Sequence, residues 1–124
     1  THETAAMVEQ VVFETEGVEK VMISSTYRTK AEQSALGTGG SQHTQHRGVD
    51  VNQVNGVPVD RSRNNSKLRV LVESLQKQFQ RNENIRENFG PQITEKVTVP
   101  GRPAEQRPDM ARSHQNHIHV SGQR

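Results

Sequence analysis

The sequence predicts an α+β fold in a single domain spanning residues 1–124, and three observations lead to this prediction. Apolar residues recur at helical spacing in two stretches, one near the N-terminus and one in the middle of the chain. Short β-branched stretches, bounded by turn residues, separate and follow them. The length of 124 residues suffices for one modest hydrophobic core and hardly for two domains.

The N-terminal third is predicted to form a helix, a strand and a short second helix. Residues 4–16 place apolar side chains on one helical face, with Thr4 as the N-cap and Gly17 where the helix ends. Residues 18–27 contain β-branched side chains and predict a strand, and residues 29–36 predict the short helix. A glycine-rich stretch then predicts a flexible loop before the next strand.

The rest of the chain is predicted to contain the clearest helix and three strands. Residues 66–82 repeat apolar side chains at helical spacing, and Asn65 or Ser66 is expected to cap this helix. Asn55 and Gly56 form the dipeptide that a type I′ hairpin turn prefers. The three strands are predicted at residues 49–52, 93–99 and 118–120.

Composition excludes several classes of protein and restricts the metal chemistry. The chain is 29% apolar and 3% aromatic, so the core is expected to be thin and a bound metal would help to hold it. Cysteine is absent, so any transition-metal site must use imidazole and carboxylate ligands, which suit zinc. A net charge of +2 without a basic run predicts no nucleic-acid partner.

The sequence contains neither a membrane-spanning stretch nor an N-terminal signal peptide, and both observations bear on where the protein acts. No apolar stretch approaches the roughly 18 residues that a bilayer-spanning helix needs, so membrane insertion is not expected. No signal peptide begins at Thr1, so we expect a mature form or a domain of a larger protein.

Five of the six histidines fall into two groups, which are His43 and His46, and His114, His117 and His119. Asp50 follows His43 at a predicted loop-to-strand transition, so both side chains can converge on one ion. His117 and His119 are separated by one residue on a predicted strand, so strand alternation aims both at the same face. Chance clustering of surface histidines is the alternative. The residues themselves predict a divalent-metal site and leave its reaction undecided.

Three segments resemble a known superfamily of zinc peptidases. Ser41-x-His43-x6-Asp50 resembles the first zinc motif of the D-Ala-D-Ala peptidases, with the same spacing between its histidine and its aspartate. His117-Ile-His119 resembles the H-x-H motif of the wider superfamily of lysostaphin, D-Ala-D-Ala peptidases and hedgehog domains. Residues 23–33 are similar to a strand-then-helix motif found upstream in these peptidases. In order and spacing, the three segments span residues 23–120.

The resemblance implies a small antiparallel sheet with a few helices packed on one side and a single zinc site in the cleft. Zn²⁺ would be the cofactor, with His43, Asp50 and His119 as its three protein ligands. Three protein ligands leave the fourth position of a tetrahedral zinc ion open, which catalytic zinc sites require.

The resemblance also implies roles for five other side chains. His117, the first histidine of the H-x-H motif, would be the general base or the electrostatic partner of the tetrahedral intermediate. Arg28 would stabilise oxyanion charge or hold substrate, while Ser41 and Gln33 would line the cleft. His114 corresponds to an extra histidine of the penicillin-insensitive murein endopeptidases. An ion pair between Arg28 and Glu32 is the structural alternative for that arginine.

The sequence departs from the peptidase pattern at three positions. His46 stands where the motif has glycine, and Gly48 stands where it has alanine. His46 is more simply explained as a solvated loop histidine than as a ligand or a substrate contact. Asn116 occupies the position of a glutamate in the D-Ala-D-Ala dipeptidases, and an amide cannot act as a base. The chemistry is therefore expected to follow the H-x-H branch, with imidazole in place of carboxylate.

The function that the resemblance implies is zinc-dependent hydrolysis of peptidoglycan stem peptides, as an endopeptidase or a D,D- or L,D-carboxypeptidase. Such an enzyme acts in the periplasm or the cell wall, as part of a phage lysin or as a secreted antibacterial toxin. A toxin would have a cognate immunity protein as a partner. Two alternatives are a zinc-holding binding module without catalysis and a metal nuclease toxin of the His-Asn-His type, suggested by His114, Asn116 and His117.

Overall fold

The computed structural model describes residues 2–25 and 48–124, and within them it shows an α+β fold with two helices and seven strands. Three short 3-10 helices lie at Val59–Arg63, Pro108–Met110 and Arg112–His114. In chain order the helices and strands are α1 (His2–Glu14), β1 (Val21–Ser25), β2 (Gly48–Val54), β3 (Val57–Pro58), α2 (Ser66–Arg81), β4 (Ile85–Phe89), β5 (Thr94–Lys96), β6 (Glu105–Gln106) and β7 (Ile118–Gly122).

The seven strands form one antiparallel sheet with the order β1-β2-β7-β4-β5-β6, and β3 pairs with β2. This confirms the predicted antiparallel sheet. The last strand in the sequence, β7, lies in the interior of the sheet between β2 and β4. Residues near the C-terminus are therefore adjacent to residues near position 50 on one side and near position 87 on the other.

Strand alternation separates the two faces of the sheet. Val49 and Val51 of β2, and Ile118 and Val120 of β7, are buried in one core cluster with apolar residues of both helices. Asp50 and His119 lie between these apolar positions and therefore project from the opposite face. The helices therefore cover one face of the central strands, and Asp50 and His119 lie on the other.

The helix α2 agrees closely with the prediction from apolar spacing. It runs from Ser66 to Arg81, and the Asn65 side-chain oxygen accepts a hydrogen bond from the Leu68 backbone N–H at 3.0 Å. The side chains that it buries in the core are Leu68, Val72, Leu75 and Phe79. Asn65 is thus the N-cap, and the apolar stripe determines which side of the helix packs on the sheet.

The Asn55-Gly56 turn also forms as predicted, and Asn55 has a second role. Asn55 and Gly56 adopt φ angles of 52° and 81°, the left-handed pair that a type I′ hairpin requires. The Asn55 side chain accepts a hydrogen bond from the Glu19 N–H at 2.8 Å and donates one to the Gly17 carbonyl at 2.8 Å. The hairpin therefore also fixes the connection between α1 and β1.

Three local predictions need correction or lie beyond the described residues. The first helix begins at His2, so Thr4 is inside the helix and fully buried, and its assignment as the N-cap is wrong. The Thr4 hydroxyl packs against Gly122 of β7, where an added Cβ would lie 3.1 Å from it. The strand predicted at 93–99 is limited to Thr94–Lys96. The short helix predicted at 29–36 lies outside the described residues.

The strand β4 was not predicted, because its sequence Ile85-Arg-Glu-Asn-Phe89 lacks apolar alternation. Asn88 occupies a fully buried position, where its amide donates to the Gln76 carbonyl at 2.8 Å and accepts from the Gln76 side chain at 3.0 Å. A polar residue can occupy a core position there only because the helix α2 supplies its hydrogen-bond partners.

No helix in residues 2–25 or 48–124 has the length and apolarity needed to cross a bilayer.

Candidate functional site

Three adjacent strands bring two carboxylates and one imidazole together on the face of the sheet opposite the helices. Asp50 of β2 is paired with His119 of β7, and Phe89 of β4 is paired with His119 from the other side. Glu87 precedes Phe89 by two residues and is paired with Ser121, so it shares their face. The register of the sheet therefore determines which side chains meet.

The His119 imidazole lies between the two carboxylates. Its Nδ1 is 2.9 Å from Asp50 Oδ1, and its Nε2 is 3.3 Å from Glu87 Oε1. The Ser121 hydroxyl donates a second hydrogen bond to the same Glu87 oxygen at 2.9 Å. The three ionisable side chains are only 20% (His119), 25% (Asp50) and 27% (Glu87) exposed, so their mutual interactions are partly shielded from water.

This arrangement favours a protonated His119 when no metal is bound. Burial opposes the charged imidazole, but hydrogen bonds to Asp50 and Glu87 outweigh it and raise the pKa of His119 to about 9. The hydrogen bond from His119 lowers the pKa of Glu87 to about 2, against the opposing effect of burial. Burial would raise the pKa of Asp50, but the same imidazole holds it below its usual value. A divalent ion at His119 must therefore displace a proton.

Two more histidines and one phenylalanine lie beside this cluster. The His114 ring centroid is 4.9 Å from that of His117 and 6.1 Å from that of His119. Phe89, 3% exposed, stacks on His119 at 6.1 Å and meets His114 edge-on at 5.5 Å. Charge on His117 or His114 also contributes to the lowered pKa of Asp50.

The described hydrogen bonds of His114 and His117 involve Nδ1 of each ring. His114 Nδ1 is 2.7 Å from the Met110 carbonyl oxygen, and His117 Nδ1 is 2.6 Å from the Asn116 side-chain oxygen. Both oxygens can only accept, so each Nδ1 carries a hydrogen, and a neutral His117 ring keeps its lone pair on Nε2. Burial, as the main cause, lowers the pKa of His117, which favours the neutral form.

Glycine at position 90 lets a buried glutamine hold Phe89 in place. A Cβ at Gly90 would lie 2.7 Å from the Gln76 amide. That Gln76 side chain accepts hydrogen bonds from the N–H groups of Gln92 and Ile93 at 2.9 and 3.1 Å. The close approach of α2 to this corner fixes the end of β4, and with it the aromatic ring that packs on His119.

The structure brings together four of the predicted site residues. Asp50 and His119 are in contact, His114 lies beside them, and His117 immediately precedes β7 with its ring against His114. The other four predicted site residues lie outside the described residues. They are the predicted zinc ligand His43, the predicted oxyanion- or substrate-binding Arg28, and the predicted cleft residues Ser41 and Gln33. His46 lies outside the described residues as well.

The described donors fit part of a zinc site. In residues 2–25 and 48–124, no three His, Asp or Glu side chains are grouped so that they could hold a metal ion. Asp50 and His119 form a pair instead, and they supply the carboxylate oxygen and imidazole nitrogen that zinc takes in proteins. The third predicted ligand, His43, belongs to the part of the chain that is not described.

Sequence reasoning missed Glu87 entirely. It lies in a strand without apolar alternation, far from both histidine groups in the sequence. The pairing of β4 with β7 places it beside Ser121 and His119. No local pattern indicates such a pairing, because strand partners are chosen by the packing of the whole sheet.

The charges around His119 predict how the metal-free chain responds to pH. Because the folded pKa of His119 is about 9 and its ordinary value is 6.5, its contribution to stability is complete below about pH 6.5 and is lost as the pH rises through 9. We expect Tm, measured with a chelator present, to fall by about 5 °C or more between about pH 6 and pH 9.5. A His119→Gln variant should lack this dependence. An equal fall in Tm in that variant would assign the effect to other groups.

Comparison of the chain with protein-family models, with curated proteins and with solved structures finds no match. Its function is therefore inferred from its own residues, from the motifs that they resemble and from the geometry of this cluster.

Proposed function

We propose that this chain is a zinc-dependent peptidase that hydrolyses peptide bonds in peptidoglycan stem peptides. The observation that carries the proposal is the contact between Asp50 and His119, at 2.9 Å and 69 residues apart in the sequence. Each of the two residues comes from a different motif of the resemblance, and each was expected to bind the same ion. Their meeting across β2 and β7 supports a shared site.

The residues that would hold zinc are Asp50 and His119, together with His43 from the first motif. A zinc ion bound there would supply Lewis-acid polarisation of the scissile carbonyl and would acidify a water molecule. The chain's own contribution is to hold the Asp50 carboxylate and the His119 imidazole on central strands, where the register of the sheet fixes their spacing.

His117 is the side chain best placed to move a proton. Its Nδ1–H donates to the Asn116 oxygen, so its Nε2 lone pair is available to accept a proton from a nucleophilic water. Its pKa is lowered, chiefly by burial, and the neutral base therefore predominates near pH 7. Asn116 cannot act as a base in place of the glutamate of the dipeptidases. Its side-chain oxygen instead orients the His117 imidazole, which would be the base.

His114 supports the same arrangement from the preceding 3-10 helix. Its Nδ1–H is held by the Met110 carbonyl, and its ring lies against His117 and near His119. A neutral His117, whose Nε2 can accept a proton, favours catalysis over a zinc-holding binding module, which has no use for a proton acceptor. A His-Asn-His nuclease would leave the paired Asp50 and His119 without a role.

Digestion of purified peptidoglycan tests the proposal. The zinc-loaded chain should release peptides from sacculi or from isolated muropeptides, with new amino and carboxyl termini identified by mass spectrometry. The products also distinguish endopeptidase from carboxypeptidase cleavage. Activity should disappear with a chelator and return with zinc.

Plasmid DNA incubated with the same preparation is the control for the nuclease alternative, and no nicking is expected. Nicking without muropeptide cleavage would replace the proposal with the nuclease. Tight zinc binding with neither activity would favour the binding module. If cleavage is observed, a secreted toxin would be expected to have an immunity protein that abolishes it, whereas a phage lysin would not.

A further inference from the structure

The His119 ring has a carboxylate at each of its two nitrogens, yet the two cannot have the same role toward an ion. Nδ1 faces Asp50 and Nε2 faces Glu87, and the two ring nitrogens point away from each other. A metal ion can therefore occupy only one side of the ring. One carboxylate shares the ion with His119, and the other accepts a hydrogen bond from the opposite nitrogen.

The surroundings of the two carboxylates distinguish these roles. Asp50 is the carboxylate that the sequence predicts as a zinc ligand, and it faces Nδ1 of His119. Glu87 is paired across the sheet with Lys96 of β5, and the charges of Lys96 and Arg107 act on it together with that of His119. The side of His119 that faces the other predicted ligand is therefore the Nδ1 side.

A hydrogen bond from Ser121 holds the Glu87 carboxylate in place. The buried Ser121 hydroxyl, directly across the sheet, donates to the same Oε1 atom that faces His119 Nε2. Phe89, two residues along the same strand, stacks on the imidazole at an interplanar angle of 21°. Strand β4 therefore contacts the His119 imidazole in two ways, because Phe89 packs on the plane of the ring and Glu87 faces its Nε2.

We propose that Glu87 is a positioning residue, which accepts a hydrogen bond from His119 Nε2–H and so keeps the Nδ1 lone pair directed at the ion that Asp50 shares. This inference rests on the proposed function, because it assigns a side to the zinc ion. It adds a residue that neither the motifs nor the resemblance contain. Outer partners of this kind fix the tautomer of a ligating histidine, and their removal typically weakens metal binding 10–100-fold.

The test compares zinc affinity and the His119 tautomer in matched variants. Glu87→Ala should raise the Kd for zinc, measured by competition with a chromophoric chelator, roughly 10–100-fold. Glu87→Gln keeps an acceptor oxygen without the charge, so its Kd should lie between those of wild type and Glu87→Ala. Glu95→Ala is the control, because Glu95 lies in the same sheet, is paired with Asn88 on β4 and accepts a hydrogen bond from Gln106. Its Kd should match wild type.

Nitrogen-15 NMR of the zinc-loaded protein gives a readout that a merely structural role would not change. In wild type and Glu87→Gln, the His119 proton should be on Nε2 and the metal on Nδ1, whereas Glu87→Ala should lose this preference. If Glu87→Ala does not fold, Glu87→Gln decides, with a Kd increase of at least about threefold expected. A Kd within twofold of wild type in every folded Glu87 variant overturns the proposal while the zinc site stands.

Two other outcomes overturn it in distinguishable ways. If Glu87→Gln abolishes zinc binding while Asp50→Asn only weakens it, the ion lies on the Nε2 side and the two carboxylates have exchanged roles. If the wild-type chain binds no zinc, the proposed function fails, and the positioning role of Glu87 fails with it.

Discussion

His119→Ala is expected to abolish tight zinc binding and, with it, all peptidase activity. The substitution removes one of the three proposed protein ligands, and with it the imidazole that contacts both Asp50 and Glu87. It also removes the imidazole that forms hydrogen bonds with the Asp50 and Glu87 carboxylates, so the two negative charges repel each other without compensation. Metal content after dialysis, measured by elemental analysis, should fall from one zinc per chain to near zero.

The loss of zinc binding should also be visible in the thermal stability of the chain. A ligand that binds only the folded state stabilises it by about 4 kcal/mol at a thousandfold excess over its Kd, so zinc should raise the Tm of the wild-type chain by several degrees. The His119→Ala variant should show no such rise. His114→Ala is the control, because that histidine is not an expected ligand and the variant should keep its zinc. Stoichiometric zinc in His119→Ala would remove this residue from the site.

His117→Ala is expected to keep near-stoichiometric zinc and yet to lose roughly 10²–10⁴-fold in kcat/KM on muropeptides. The reason is that its available Nε2 serves proton transfer, whereas metal binding is assigned to other residues. Zinc content and turnover must therefore be measured on the same preparation. Asn116→Ala, which releases the His117 Nδ1–H, should lose less activity and no metal.

Two results would contradict this assignment. If His117→Ala loses its metal while His119→Ala keeps it, the two histidines have the opposite roles. If His117→Ala keeps both metal and activity, the catalytic interpretation of the C-terminal cluster is wrong. His114→Ala should fall between wild type and His117→Ala in rate, because its ring contacts His117 but its Nδ1 is held by the Met110 carbonyl.

The features that the sequence by itself determined are those encoded over a few residues. The repeat of apolar side chains in α2 and its Asn65 cap act within one or two helical turns, and the Asn55-Gly56 turn depends on the φ angles of two neighbours. Metal-ligating residue types at recognisable spacing likewise made Asp50 and His119 candidates before any contact was known.

Tertiary structure alone decided which distant residues meet. The strand β4 has a buried asparagine where alternation requires an apolar residue, and Gln76 of α2 forms hydrogen bonds with that amide. Thr4 looks like a cap locally but is buried against β7. Glu87 reaches His119 only because β4 and β7 are neighbours in the sheet. Strand pairing depends on the packing of the whole core rather than on local preference, so its consequences for the site are not written in any single segment.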